Sequence, residues 1–600
     1  MNENHRAIKT RYNRFLLFVA GLGGLLYGVD VGIISGALPY LEATSGLSAG
    51  QLSFVVAAVL LGSVISTLFA GLLSEWLGRK KMMSLSGILF VISIPMIALA
   101  HGYWPLVAGR LLQGISAGLI GVVVPLYLAE CLGAANRGKG TAIFQWLLTL
   151  GIVAAAVIGL CFSIRVDEIQ ELGDANKLFA FKDTAWRGIF WVSLPPGILF
   201  VIGSFMVAES PRWLFRRGEK DAARAALLCS RTDEQAEMEL KEMAETIAAE
   251  KAQLAGAQVR ESLLRRKYVI PFLLACIILA CNQLTGVNSI IGYNATILIQ
   301  AGLSDKNAHM GYLILTLVNF LATIGALVLV DRKGRKFLLS LGSAGIIISL
   351  FGVGILFHET ETQRVDVKDA VQALVSTNQT LALAFNQAAA TRLLAGKTFG
   401  PQPSTLVVIY SYGDFHGTTT AIRSDDATAK PIGIDRGSAV PARKFEALME
   451  HPFANYDAAK SAPLQIDNAL LTPVPDTRTG WFTAIGLFIF MAFFAVGPGV
   501  CVWLALSELM PTRIRANGMS IALTINQVVS TTIAAIFLPT VGKYGYSTMF
   551  FVFAGCTVVY FITAAFFLPE TKGKTLEEIE EHFEGVRQSA QPAPILANEK

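Results

Sequence analysis

Charge is scarce in this chain. Of its 600 residues only 16% are Asp, Glu, Lys or Arg, where a soluble domain carries about 25%. Over this length the deficit points to lipid, not water, as the main solvent. The net charge of +5 provides no basic surface on which a nucleic acid would dock, so no nucleic-acid partner is expected. Metal-ligand spacing is missing too. The seven cysteines (Cys131, Cys161, Cys229, Cys276, Cys281, Cys501 and Cys556) make no CxxC pair, and six lie in or beside apolar runs, as small packing residues do. No phosphate loop and no nucleophile–base constellation is present. The chain is read as not an enzyme and as using no cofactor. Arg11 and Arg14 precede the first apolar run, but no small-residue cleavage site follows it, so it is read as a span and not a signal peptide.

Long apolar runs are abundant. Spanning a bilayer takes about 20 mostly apolar helical residues, and twelve runs qualify: 14–36, 52–75, 82–101, 104–130, 140–163, 187–207, 268–300, 308–330, 337–357, 481–507, 515–541 and 546–568. Many contain glycine, which suits close helix packing in lipid. Positive residues gather on the cytoplasmic side of membranes. Here they follow run 2 (Arg79, Lys80, Lys81), run 4 (Arg137, Lys139), run 6 (Arg212, Arg216, Arg217) and run 8 (Arg332, Lys333, Arg335, Lys336), whereas 31–51 has none. Both termini are therefore expected in the cytoplasm. The expected location is a multi-pass cell membrane, a bacterial inner membrane. The charged stretch 208–267 reads as a cytoplasmic linker of short helices, such as Asp221 to Leu228 and Gln235 to Ala252.

The chain repeats itself. Gly78-Arg79-Lys80 after run 2 returns as Gly334-Arg335-Lys336 after run 8. Glu130, with Arg137 seven residues on, returns as Glu508 with Arg515. Glu209-Ser210-Pro211-Arg212 after run 6 has its counterpart in Pro569-Glu570-Thr571-Lys572 after run 12. Two six-helix halves are thus related. The repeat also measures an insertion: 52 residues separate Gly78 from Glu130, but 174 separate Gly334 from Glu508. The excess lies between runs 9 and 10, so 358–480 is expected as an outward-facing soluble module. Within it Asp366 to Leu394 reads as an amphipathic helix and Leu406 to Tyr410 as a strand, without cysteine. The divisions are 1–207, a six-helix half; 208–267, the linker; 268–357, helices 7–9; 358–480, the insertion; 481–568, helices 10–12; and 569–600, a cytoplasmic tail.

Asp30 inside run 1 needs a reason. A carboxylate at mid-membrane costs roughly 2.5–3.5 kcal/mol on insertion scales, and a proton-binding role would supply one. Arg110 inside run 4 is its natural partner. Amide side chains, which donate and accept, and an aromatic platform suit a sugar. They are present at Gln145, Asn282, Gln283, Asn288, Asn319 and Asn526, with Trp503. Gln283 and Asn288 are five apart, off a common helical face, unless Gly286 breaks the helix and lets both point inward.

In these motifs the chain resembles the sugar porters of the major facilitator superfamily, a family of proton–sugar symporters and facilitative glucose carriers. The resemblance rests on five stretches in order: Gly71 to Lys80, Glu130 to Gly138, Glu209 to Trp213, Asp331 to Lys336 and Pro569 to Gly573. It covers all but 358–480 and the last dozen or so residues. It implies an all-α membrane protein of twelve helices in two pseudo-symmetric halves, with the insertion between helices 9 and 10. It implies an alternating-access carrier; a monomer is expected. The cargo would be a hexose or pentose, and the proton the coupling ion at Asp30 and Arg110. A passive uniporter and a transporter-like sugar sensor are the alternatives. Gln145, Gln283 and Asn288 match the family's sugar-binding positions. Arg79, Glu130, Arg137, Glu209, Arg212, Arg335, Glu508 and Arg515 resemble its cytoplasmic salt-bridge latch. The chain departs from the pattern at Glu75-Trp76, at Ser193 (where some symporters have a glutamate), at Asn282 (the first of paired glutamines) and at Gln527 (a tryptophan in many relatives).

Overall fold

Within lipid no water serves the backbone, so a spanning segment must satisfy its own hydrogen bonds and becomes helical. The computed structural model describes residues 3–132, 134–256, 265–394, 402–426, 430–444, 446–447, 453–511, 514–572, 578–579 and 582–583. Twelve of its helices are long and apolar enough to cross a membrane. They are α1 (Arg11–Ser45), α2 (Ala49–Leu77), α3 (Arg79–Ala98), α4 (Tyr103–Cys131), α5 (Ile143–Glu171), α6 (Ala175–Met206), α7 (Arg266–Gly292), α8 (Asp305–Val330), α9 (Arg335–Glu361), α10 (Thr477–Val502), α11 (Gly518–Tyr544) and α12 (Tyr546–Phe567). The first six and the last six form the two halves. Glycines let backbones meet where lipid offers no hydrophobic drive. A Cβ on Gly28 of α1 would lie 1.8 Å from the Leu148 carbonyl of α5, and one on Gly114 of α4 would lie 2.0 Å from that of Val59 in α2.

Two spans start or break differently from their apolar runs. Helix begins at Ala175, N-capped by Asp174, twelve residues before the expected start of the sixth span. That helix is interrupted near Ser193, ahead of Pro195 and Pro196. The seventh is interrupted at Gly286. Between the halves run short helices at Pro211–Arg216, Lys220–Leu228 and Asp233–Gly256.

Between α9 and α10 lies a soluble insertion with its own apolar core, including Val371, Leu406, Tyr412, Phe415 and Ile466. Its strands are β1 (Val365–Asp366), β2 (Leu381–Leu383), β3 (Ser404–Tyr412), β4 (Phe415–Thr418), β5 (Ile422–Arg423), β6 (Ile432–Ile434) and β7 (Leu464–Pro473). The main sheet runs β1-β7-β3-β4 with β5 also on β3, and β2 pairs β6, all antiparallel. Gly413, at φ +63°, makes the two-residue turn between β3 and β4. The single helix expected over 366–394 is not there. The segment divides into β1, a helix at Lys368–Gln372, β2 and a helix at Gln387–Leu393. The cause is local: the Ser376 hydroxyl accepts from the Thr380 amide, Gln379 takes φ +58°, and the Asn386 side chain caps the second helix. Such side-chain bonds compete with a continuous helix.

Candidate functional site

The break in α7 creates a polar centre. Gly286 at φ +81° adopts a conformation that a residue with a Cβ resists, and a Cβ there would meet Phe553 at 2.3 Å. The chain restarts at Val287, and Asn288 turns back towards Gln283. The Asn288 amide donates to Gln283 Oε1 (2.9 Å) and to Ser530 Oγ of α11 (2.7 Å). Gln283 Nε2 donates to Asn526 Oδ1 (3.2 Å), whose own amide donates to the Leu279 carbonyl (2.9 Å). Asn282 Oδ1 is buried without a hydrogen bond among the described residues. The cluster presents neutral donors and acceptors together, which is the chemistry a hydroxyl-rich ligand requires.

Asp30 and Arg110 form a second buried centre, each 1% exposed. Their closest approach, Arg110 Nη1 to Asp30 Oδ1, is 3.9 Å. Arg110 instead donates to Gln113 Oε1 at 2.6 Å and lies 5.6 Å from the Phe190 ring centre. Both Asp30 oxygens and Arg110 Nε lack a hydrogen bond among the described residues. A buried carboxylate held this loosely has little to lose on taking up a proton.

The halves meet in a polar seam at the insertion end of the bundle. Asp305 of α8 accepts from Tyr40 of α1 (2.7 Å) and Ser163 of α5 (2.8 Å). The buried His309 ring stacks on Tyr40, with Nδ1 2.9 Å from the Asp305 carbonyl and Nε2 3.2 Å from that of Gly36. Tyr312 donates to the Gly32 carbonyl. Tyr293 stacks on Phe537 at 4.5 Å and donates to the Ala534 carbonyl, while Ser53 of α2 accepts from the Leu538 amide. Sequence reasoning did not single out these residues. Asp305 and His309, an i, i+4 polar pair at the head of an apolar helix, were the available signal.

At the opposite end the repeated motifs build the same structure twice. Glu209 accepts from the Arg79 and Lys80 amides (3.0 Å each), and Glu570 from those of Arg335 and Lys336 (3.1 and 3.2 Å). Arg79 pairs with Glu130 at 2.9 Å and Arg335 with Glu508 at 3.0 Å. Ser210 donates to Glu130 (2.5 Å) and Thr571 to Glu508 (2.6 Å). These pairs close within each half. The side chains of Arg137, Trp503 and Arg515 lie outside the described residues. Arg212 begins the helix at Pro211–Arg216 beside this assembly. Among the described residues no side-chain hydrogen bond joins Gln145 or Asn319 to the α7 cluster; their carbonyls accept from Thr149 and Thr323, and Gln145 is exposed.

Twelve spans in two halves, each half with a buried polar centre, define a membrane carrier of the major facilitator type. The chain belongs to the sugar (and other) transporter family, whose model matches residues 16–385 and 469–583 and skips much of the insertion. It is 27% identical to the glucose transporter GlcP of Staphylococcus epidermidis over 95% of this chain and 97% of that one. It is 26% identical to the galactose-proton symporter of Escherichia coli (94% and 93% covered) and to the human proton myo-inositol cotransporter (94% and 81%). In fold it resembles the partially occluded inward open conformation of the xylose transporter XylE from E. coli, with TM-score 0.62 and 20% identity over 94% of this chain and 100% of that one.

Proposed function

We propose that this protein carries a monosaccharide, a hexose or pentose, into the cell together with a proton by alternating access. In this reading the motif end faces the cytoplasm and the insertion lies outside. The observation that carries it is the amide cluster at the broken α7, where Gln283, Asn288 and Asn526 converge. Relatives named for glucose, galactose with a proton, and inositol with a proton support the ligand class and the coupling ion. Asp30, unbonded and beside Arg110, would take the proton. Neutralising it removes the attraction across 3.9 Å between α1 and α4, so protonated and ionised forms favour different packings. A ligand shifts a conformational equilibrium only by such a difference in affinity.

The test is uptake of radiolabelled D-glucose, D-galactose and D-xylose by liposomes holding the purified protein, with and without an inward proton gradient. Accumulation that rises with the gradient supports symport. Uptake that only equilibrates supports the uniporter, and no uptake of any sugar refutes the carrier.

A further inference from the structure

The insertion does more than fill a loop: with the bundle it lines a half-open chamber of about 370 Å³ above the seam, within the range of small-molecule sites. Its walls come from the insertion-side end of α1, the helix Asn294–Gln300, α6 and the β4–β6 region. We propose that this chamber is a second binding site, for a neutral polyhydroxylated ligand of the transported class. The proposal rests on the sugar reading above.

Charge argues against an anion. The three cations lining the chamber are held by other groups: Arg423 by Asp425 (2.8 Å) and the Ile299 carbonyl, Lys182 by Asp426 (3.5 Å), and Lys430 by the Thr44 carbonyl. An anionic ligand would have to displace one of these contacts. Six lining groups have no side-chain hydrogen bond among the described residues: Glu42, Asp167, Gln170, Thr296, Gln300 and Thr420. Thr296 is decisive. It is 5% exposed, its Oγ1 is buried and unpartnered, and it borders the chamber. A buried hydroxyl without a partner calls for one. Together the six offer two carboxylate acceptors, two hydroxyls and two amides, a set that complements hydroxyl groups. Position agrees with this. Thr296 is eight residues beyond Asn288, roughly 12 Å at helical rise, and Tyr293 seals the seam between them. A sugar held in the chamber would wait directly behind the closed seam.

The test uses the full chain in nanodiscs with the exposed Cys161 and Cys229 replaced by serine. A reporter cysteine, Thr420→Cys or in a second protein Gln300→Cys, is labelled with a hydrophilic maleimide in D-glucose, D-galactose or D-xylose. Sugar at ten times its half-protecting concentration should slow labelling about tenfold. The protection should persist when Gln283→Ala is added. Protection lost with Gln283→Ala would mean that the central site alone binds sugar, and would overturn the proposal. No protection at either reporter, in protein that takes up sugar, would overturn it while leaving the carrier reading standing. Neither protection nor uptake would overturn both.

Discussion

Asp30 is buried, ionisable and without a hydrogen bond among the described residues, a combination that folding alone does not favour. On the proposed mechanism Asp30→Asn imitates the protonated carboxyl. It should abolish accumulation driven by a proton gradient while leaving sugar binding and exchange in place. Liposome uptake with and without the gradient measures this, and a variant that still concentrates sugar would make Asp30 a structural residue. Gln283 sits at the other centre. Losing one partner of a buried polar contact costs about 1–3 kcal/mol, so Gln283→Ala should weaken sugar affinity by roughly five- to a hundredfold with protein yield unchanged. Unchanged affinity would place the sugar elsewhere. Both centres were visible in the sequence for the same reason: a carboxylate or a cluster of amides within an apolar run stands out. Ser530 was not visible, because serine is ordinary in such helices and only the fold brings it to Asn288. Nor does depth along a run reveal direction. Gln145 and Asn319 were read as sugar-binding amides like Gln283, yet among the described residues no side-chain hydrogen bond joins them to its cluster.

At the scale of elements, one construction recurs three times. A glycine with φ near +90° precedes a helix, and a Glu from another segment accepts from that helix's first amides: Gly78 with Glu209, Gly334 with Glu570, and Gly545 with Glu361. A carboxylate there meets unpaired N–H groups and the positive end of the helix dipole. The glycine is required twice over, by its φ and by space, since a Cβ on Gly334 would lie 2.4 Å from Glu570 Oε2. Gly334→Ala should therefore lose about 1–3 kcal/mol from the backbone alone, since φ 87° with ψ 161° is a region essentially confined to glycine. Gly352 in the same helix faces open space, so Gly352→Ala should be neutral or stabilising. Thermal unfolding in detergent compares them, and equal melting would refute the argument. The first two of these turns were legible as a repeated Gly-Arg-Lys and a repeated Glu. The third was not, because nothing in the sequence pairs Glu361 with a glycine 184 residues later. The insertion's sheet was mostly illegible for a similar reason: β3 is a plain β-branched and aromatic strand, but its partner β7 is known only once the chain has folded back.

Across the whole molecule the insertion is attached to one half and rests on both. Its ends join α9 and α10 of the second half, yet Lys430 donates to the Thr44 carbonyl and lies over the Phe179 ring, and Asp426 pairs with Lys182. Those three groups belong to the first half. On the proposed alternating access the halves part at this end, which strains or breaks these contacts between the insertion and the first half. The insertion therefore favours the closed seam. The size of the bias is limited, because partly exposed ion pairs are worth about 0–1 kcal/mol each, and 1.4 kcal/mol is a tenfold change in population. Replacing residues 363–474 with a short Gly/Ser linker should preserve folding and sugar uptake but shift the closed–open balance up to about tenfold towards open. Spin labels at Leu172→Cys and Lys306→Cys, at the insertion-side ends of α5 and α8, report that separation as a distance distribution. A larger long-distance population in the deletion is the expected outcome. An unchanged distribution would mean the insertion does not steady the seam. Loss of uptake in a well-folded deletion would make it part of the transport path itself.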